Sequence, residues 1–83
     1  MDIGVEISLY PLDANYIPPI QDFIDRLNRD GQLRVTTNNM STQIFGGFET
    51  VMPRLLREIH QSFADNNKAV FVMKVLGPLA AAT

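Results

Sequence analysis

The sequence predicts an α+β sandwich, in which one four-stranded antiparallel sheet carries two helices on a single face. Three observations predict it. Apolar residues alternate with polar ones at period two in three stretches, and a fourth stretch is rich in β-branched and aromatic residues. Two intervening segments carry an apolar stripe at the helical period. Pro, Gly or Asn punctuates the chain between these units.

The first strand is defined by Ile3, Val5, Ile7 and Leu9, which alternate with Gly4, Glu6, Ser8 and Tyr10. Pro11 ends it, because proline has no N–H to give to a ladder. Pro18 and Pro19 suit a first helical turn, where those N–H groups have no partner in any case. Ile20, Phe23, Ile24 and Leu27 then form one apolar stripe, and Asp22 and Arg26 stand four apart and can pair. Gly31 stops the helix by taking the left-handed conformation.

Leu33, Val35 and Thr37 alternate with Arg34, Thr36 and Asn38 as a second strand. Asn38-Asn39 reads as a turn, since asparagine bonds its own following backbone. A third strand runs over 41–46, antiparallel to the second, and Gly46-Gly47 breaks it. The second helix spans about 48–64, with Val51 or Met52, Leu55, Leu56, Ile59 and Phe63 on its apolar face. Glu49 lies at its positive N-terminal end, and Pro53 is early enough to be tolerated. The fourth strand is expected from Ala69 to Leu76, closed by Gly77-Pro78, with Leu79 to Thr83 as a frayed tail.

The order βαββαβ is the ferredoxin-like split βαβ pattern. Right-handed crossovers place both helices on one face and give strand order 4-1-3-2. Ile3, Val5, Ile7, Leu9, Leu33, Val35 and Ile44 should then face the helices. Glu6, Ser8, Tyr10, Arg34, Thr36, Asn38, Ser41, Gln43 and Phe45 should face the open side. One set of fourth-strand residues also faces outward and extends the apolar area there. Contiguous apolar area of that kind marks an interface, so self-association is expected, sheet on sheet or edge to edge.

Composition bounds the function. Eighty-three residues form a single domain, 1–83, and the 46% apolar share is that of a globular chain. With no cysteine, disulfides and thiolate metal sites are excluded. A net charge of −2 argues against general nucleic-acid binding. No apolar run reaches a membrane span, and Met1-Asp2-Ile3-Gly4 does not open a signal peptide, so a cytoplasmic protein is expected. The lone His60 has no second ligand at metal spacing, and no glycine loop with a lysine could cradle phosphate.

The polar side of the first and third strands carries more hydrogen-bonding capacity than a solvated face requires. Together with one or two aromatic rings it could hold a small heteroaromatic ligand. Ser8-Leu9-Tyr10-Pro11, then Met40-Ser41-Thr42 and Gly46, resemble the thiamine- and hydroxymethylpyrimidine-binding family of ferredoxin-like domains, of the DUF77 type. The likeness runs from Glu6 to about Phe63. It implies a non-enzymatic binder with thiamine or hydroxymethylpyrimidine as ligand and no other cofactor, acting in salvage, transport or delivery. It also implies a single-domain form that assembles as a homodimer or homotetramer. Where many single-domain members are acidic before the third-strand glycine, this chain has Phe45.

The chemistry required of such a site is present. Glu6 or the Asn38 carbonyl could accept from an amine, and Ser8, Ser41 and Thr42 could donate to ring nitrogens. Phe45, Met40 or Tyr10 could cover the ring. These residues also have structural readings: a Glu6–Arg34 pair, Tyr10 as a packed corner, asparagines as turn formers, Met40 as gap-filler, Phe45 as dimer core. His60, Arg54, Arg57 and Glu58 read as a solvated face. Two other functions are compatible with the fold. One is an oligomeric regulatory module with a different small ligand. The other is an RNA-binding domain, although the basic aromatic third-strand signature is missing.

Overall fold

The computed structural model describes residues 1–80. The chain runs β1 (Asp2–Pro11), α1 (Ile17–Asn28), β2 (Arg34–Thr37), β3 (Thr42–Gly47), α2 (Phe48–Asp65) and β4 (Ala69–Leu79). The sheet is antiparallel with order β2-β3-β1-β4, the expected ferredoxin-like arrangement. Ile3, Val5, Ile7 and Leu9 of β1 meet Ile44 of β3, Phe23 and Leu27 of α1, and Val51 and Leu55 of α2 in one buried core. Period two in the strands and period 3.6 in the helices bring these residues to the same layer.

Four expectations are corrected. β4 does not end at Gly77-Pro78 but continues to Leu79, and Ala81 to Thr83 lie outside the described residues. It passes through an irregularity in which Asp2 pairs with Leu79 and Gly4 with Leu76, leaving one extra residue on β4. A Cβ on Gly77 would stand 2.8 Å from Ile3 Cγ2, so the strand can pass β1 here only without a side chain. Pro78 is tolerated because β4 is an edge strand.

The second correction concerns α2. Leu56 and Phe63 are largely exposed, although Phe63 meets Phe71 edge-on at 5.5 Å. The helix instead buries Glu58 and Ser62 beside Val51 and Leu55. The third follows from this: Glu58 and Arg54 are not a solvated face. Arg26, paired with Asp22 at 3.0 Å as expected, also reaches Glu58 at 2.7 Å and Ser62 Oγ at 2.6 Å. Arg54 donates to the other Glu58 oxygen at 2.8 Å and to Asp30 at 2.6 Å. Arg57 and His60 are exposed, as expected. Because the helices cross where Arg26 and Glu58 stand, their charges are enclosed and satisfied by each other.

The fourth concerns the open face. Glu6 does not pair with Arg34. It lies 3.6 Å from Lys74 and accepts from Ser41 Oγ at 3.1 Å. Arg34 lies over the Phe45 ring at 4.9 Å, and that ring covers Gly4, where a Cβ would approach Phe45 Cε1 to 3.0 Å. Tyr10 is no packed corner but half exposed. Beside it Val70, Val72 and Leu76 of β4 stand on the same open face, the last 66% exposed.

Candidate functional site

β1 outruns its neighbour. Its ladder with β3 ends at Ile7↔Thr42, whereas its ladder with β4 continues to Pro11↔Ala69. From Ser8 onward the β3-facing edge of β1 has no strand beside it among the described residues. Alternate residues of such an edge direct their N–H and C=O groups sideways, so the gap is a notch with a polar backbone wall.

Three elements close the notch into a cavity of about 410 Å³. Ile7 to Pro11 of β1 form one side. Thr37 to Thr42, the turn joining β2 and β3, form the second. Tyr16, Ile20, Phe23 and Ile24 from the start of α1 form the third, which is apolar and aromatic. The α1 wall is held at its entrance by Asp13, which accepts from the Asn15 N–H at 2.9 Å and from Asn67 Nδ2 at 3.0 Å. These bonds, the Asn15 backbone N–H first, hold the Asp13 carboxyl below its ordinary value. The Leu12 N–H donates to the Lys68 carbonyl at 3.0 Å and ties the same loop to the start of β4.

The turn is built by Asn38. Its Oδ1 accepts from the backbone N–H groups of Met40 at 2.8 Å and Ser41 at 3.1 Å, the side-chain turn that asparagine favours. Its own N–H donates to the Ser41 carbonyl at 3.1 Å. Two N–H donors can be met only by the oxygen, so the Nδ2 end is left over; among the described residues it has no acceptor. Ser8 Oγ donates to the Met40 carbonyl at 3.4 Å, and Thr37 and Thr42 share a hydroxyl bond at 3.2 Å.

Of the residues singled out from the sequence, Ser8, Tyr10, Asn38, Met40, Ser41 and Thr42 line the notch. Glu6 and Phe45 do not: both lie on the open sheet face, and Glu6 touches the notch only through Ser41. Met40, no gap-filler, is 84% exposed at the rim. Sequence reasoning missed Tyr16, Ile20, Phe23 and Ile24 as site residues, reading the last three as core stripe alone. The signal for Tyr16 was an aromatic directly before the helix start. No Asp, Glu, Lys, Arg or His lines the notch among the described residues. Among the described residues no cluster of three or more His, Cys, Asp or Glu could hold a metal ion, and no helix is long and apolar enough to cross a membrane.

Fold and notch together define a ferredoxin-like sandwich with an uncharged, amphipathic cavity at one sheet end. No family model matches the chain, and no curated protein matches its sequence. Solved structures do. A proposed thiamine biosynthesis/salvage protein of Thermotoga maritima matches with TM-score 0.80 at 17% identity, over 90% of this chain and 82% of that one. A Streptococcus pneumoniae protein matches with TM-score 0.87 at 16% identity, over 95% and 89%. A domain of unknown function DUF77 from Bacillus cereus matches with TM-score 0.68 at 13% identity, over 94% and 77%. At these identities the likeness establishes a shared fold.

Proposed function

We propose that this protein is a non-enzymatic binder of thiamine or its hydroxymethylpyrimidine moiety, held in the notch. The observation that carries the reading is the pairing of two unlike walls. Ser8, Asn38 and Ser41 supply a hydrogen-bonding rim opposite Tyr16, Ile20, Phe23 and Ile24. A flat aminopyrimidine has the same division, with polar nitrogens on its edge and an apolar face, and a concave site of this size suits it. The fold shared with a proposed thiamine biosynthesis/salvage protein supports a thiamine-related role. Glu6 acts through Ser41 as a positioning residue, and its carboxylate favours a cationic thiazolium nearby. The exposed Val70, Val72 and Leu76 on the open sheet face support self-association, as a homodimer or homotetramer.

Calorimetric titration with thiamine and with hydroxymethylpyrimidine tests the reading. Saturable heat that weakens in Ser41→Ala and Tyr16→Ala supports it. Absence of heat with both compounds up to millimolar concentration removes it.

A further inference from the structure

The hydrogen-bond polarity of the notch bears on which chemical form of the ligand it accepts. Ser41 Oγ faces the Glu6 carboxylate at 3.1 Å, and a carboxylate can only accept, so the serine proton is committed there. Ser8 Oγ likewise commits its proton to the Met40 carbonyl. What both serines have left for a ligand is lone pairs. Asn38 Nδ2 is a side-chain donor whose direction is settled, since Asn38 Oδ1 is taken by two backbone N–H groups.

No Lys, Arg or His lines the notch among the described residues. Lys68 contributes a backbone carbonyl to the neighbouring loop, but its side chain is not part of the lining. A helix N-terminus could take the place of a cation, since its free N–H groups bind anions. Here α1 begins Ile17-Pro18-Pro19, and each proline removes one of those N–H groups. Behind the rim the anion Glu6 stands one hydrogen bond away, itself 3.6 Å from Lys74.

We infer that the notch selects the unphosphorylated, amino-bearing heterocycle and rejects its phosphate esters. An exocyclic amine donates to the serine lone pairs, and a ring nitrogen accepts from Asn38. A phosphate group offers acceptors only. It would leave water to face two serine oxygens, with the Glu6 anion one hydrogen bond behind Ser41 and no cationic side chain in the lining among the described residues to repay its desolvation. The inference rests on the ligand reading proposed above and adds the phosphorylation state to it.

The test is a pair of titrations on the full chain, with hydroxymethylpyrimidine and with its monophosphate ester. The alcohol is expected to bind, and the ester to bind at least about tenfold more weakly, the cost of an uncompensated charge. In Asn39→Lys, which sets an ammonium on the exposed turn, the gap is expected to narrow; a gap unchanged in that variant overturns the charge argument. Equal or tighter binding of the ester overturns the inference and leaves the ligand reading standing. Binding of neither compound overturns both.

Discussion

Arg26 of α1 and Glu58 of α2 are joined twice. Arg26 Nη1 donates to the Glu58 carboxylate at 2.7 Å and to the Glu58 backbone carbonyl at 3.0 Å. Arg26 is 5% exposed and Glu58 8%, so this pair is part of the interior. Asp22 and Ser62 accept the remaining Arg26 bonds, Arg54 donates to the other Glu58 oxygen, and Asp30 in turn accepts from Arg54. The two helices are thereby locked in one relative position, which also sets where the α1 wall of the notch stands.

Removing one partner of this pair leaves a buried charge uncompensated. Glu58→Ala is expected to lower stability by about 3 kcal/mol. In a domain of this size that is a fall in Tm of roughly 12–24 °C. Thermal unfolding followed by circular dichroism checks it. A loss under about 1 kcal/mol, the worth of a surface pair, would contradict the burial.

The same pair sets a pH dependence. Burial pushes the Glu58 carboxyl up, but the hydrogen bonds and charges of Arg54 and Arg26 outweigh it, and the group sits below its ordinary 4.5. A depressed carboxyl contributes stability that is complete above its unfolded value and is lost as pH falls through its folded value. The urea midpoint is therefore expected to hold from neutrality to about pH 5 and to decline below about pH 4.5. Glu58→Gln, which cannot titrate, should start lower and decline less steeply. Parallel curves for the two proteins would assign the decline to other carboxylates.

Gly77→Ala puts a methyl group 2.8 Å from Ile3 Cγ2. Forced contact of this kind costs about 1–3 kcal/mol. Since Ile3 lies at the opposite end of β1 from the notch, ligand affinity should not change. A variant as stable as the parent would show that β4 can move off β1 at this point.

Ser41→Ala removes one neutral hydrogen bond from the notch and should weaken ligand binding by about two- to tenfold. Its Tm should fall slightly, because Ser41 is half-buried and gives up its bond to Glu6 as well. Unchanged affinity would place the ligand elsewhere.

Val72→Lys and Leu76→Lys add charge on either side of Lys74 on the outward face of β4, where the parent residues are 51% and 66% exposed. Sedimentation equilibrium should give an oligomer for the parent and the 9.3 kDa monomer for the double variant. A monomeric parent would remove the assembly from the proposal.

Much of this structure was legible because the signals were local. Alternation from Ile3 to Leu9 named a strand and its buried face, and the stripe from Ile20 to Leu27 named a helix. Asn38-Asn39 named the turn, since the side chain that bends the backbone is in the turn itself. Leu56 and Phe63 were misread because helical periodicity shows which residues share a stripe, not which stripe meets the core. Gly77-Pro78 looked like a stop because edge position, which excuses the proline, is a property of the sheet.

The sequence by itself determined the element order, the two faces of the sheet and six candidate residues that line the notch. These follow from side-chain chemistry and spacing within a few residues. Only the tertiary structure decided that β1 outruns β3, that Tyr16 and Ile24 line the gap, that Glu6 bonds Ser41, and that Glu58 is enclosed by two arginines. Each of these depends on the register and crossing of elements distant in sequence. Register and crossing come from packing the whole core at once, which no local pattern records.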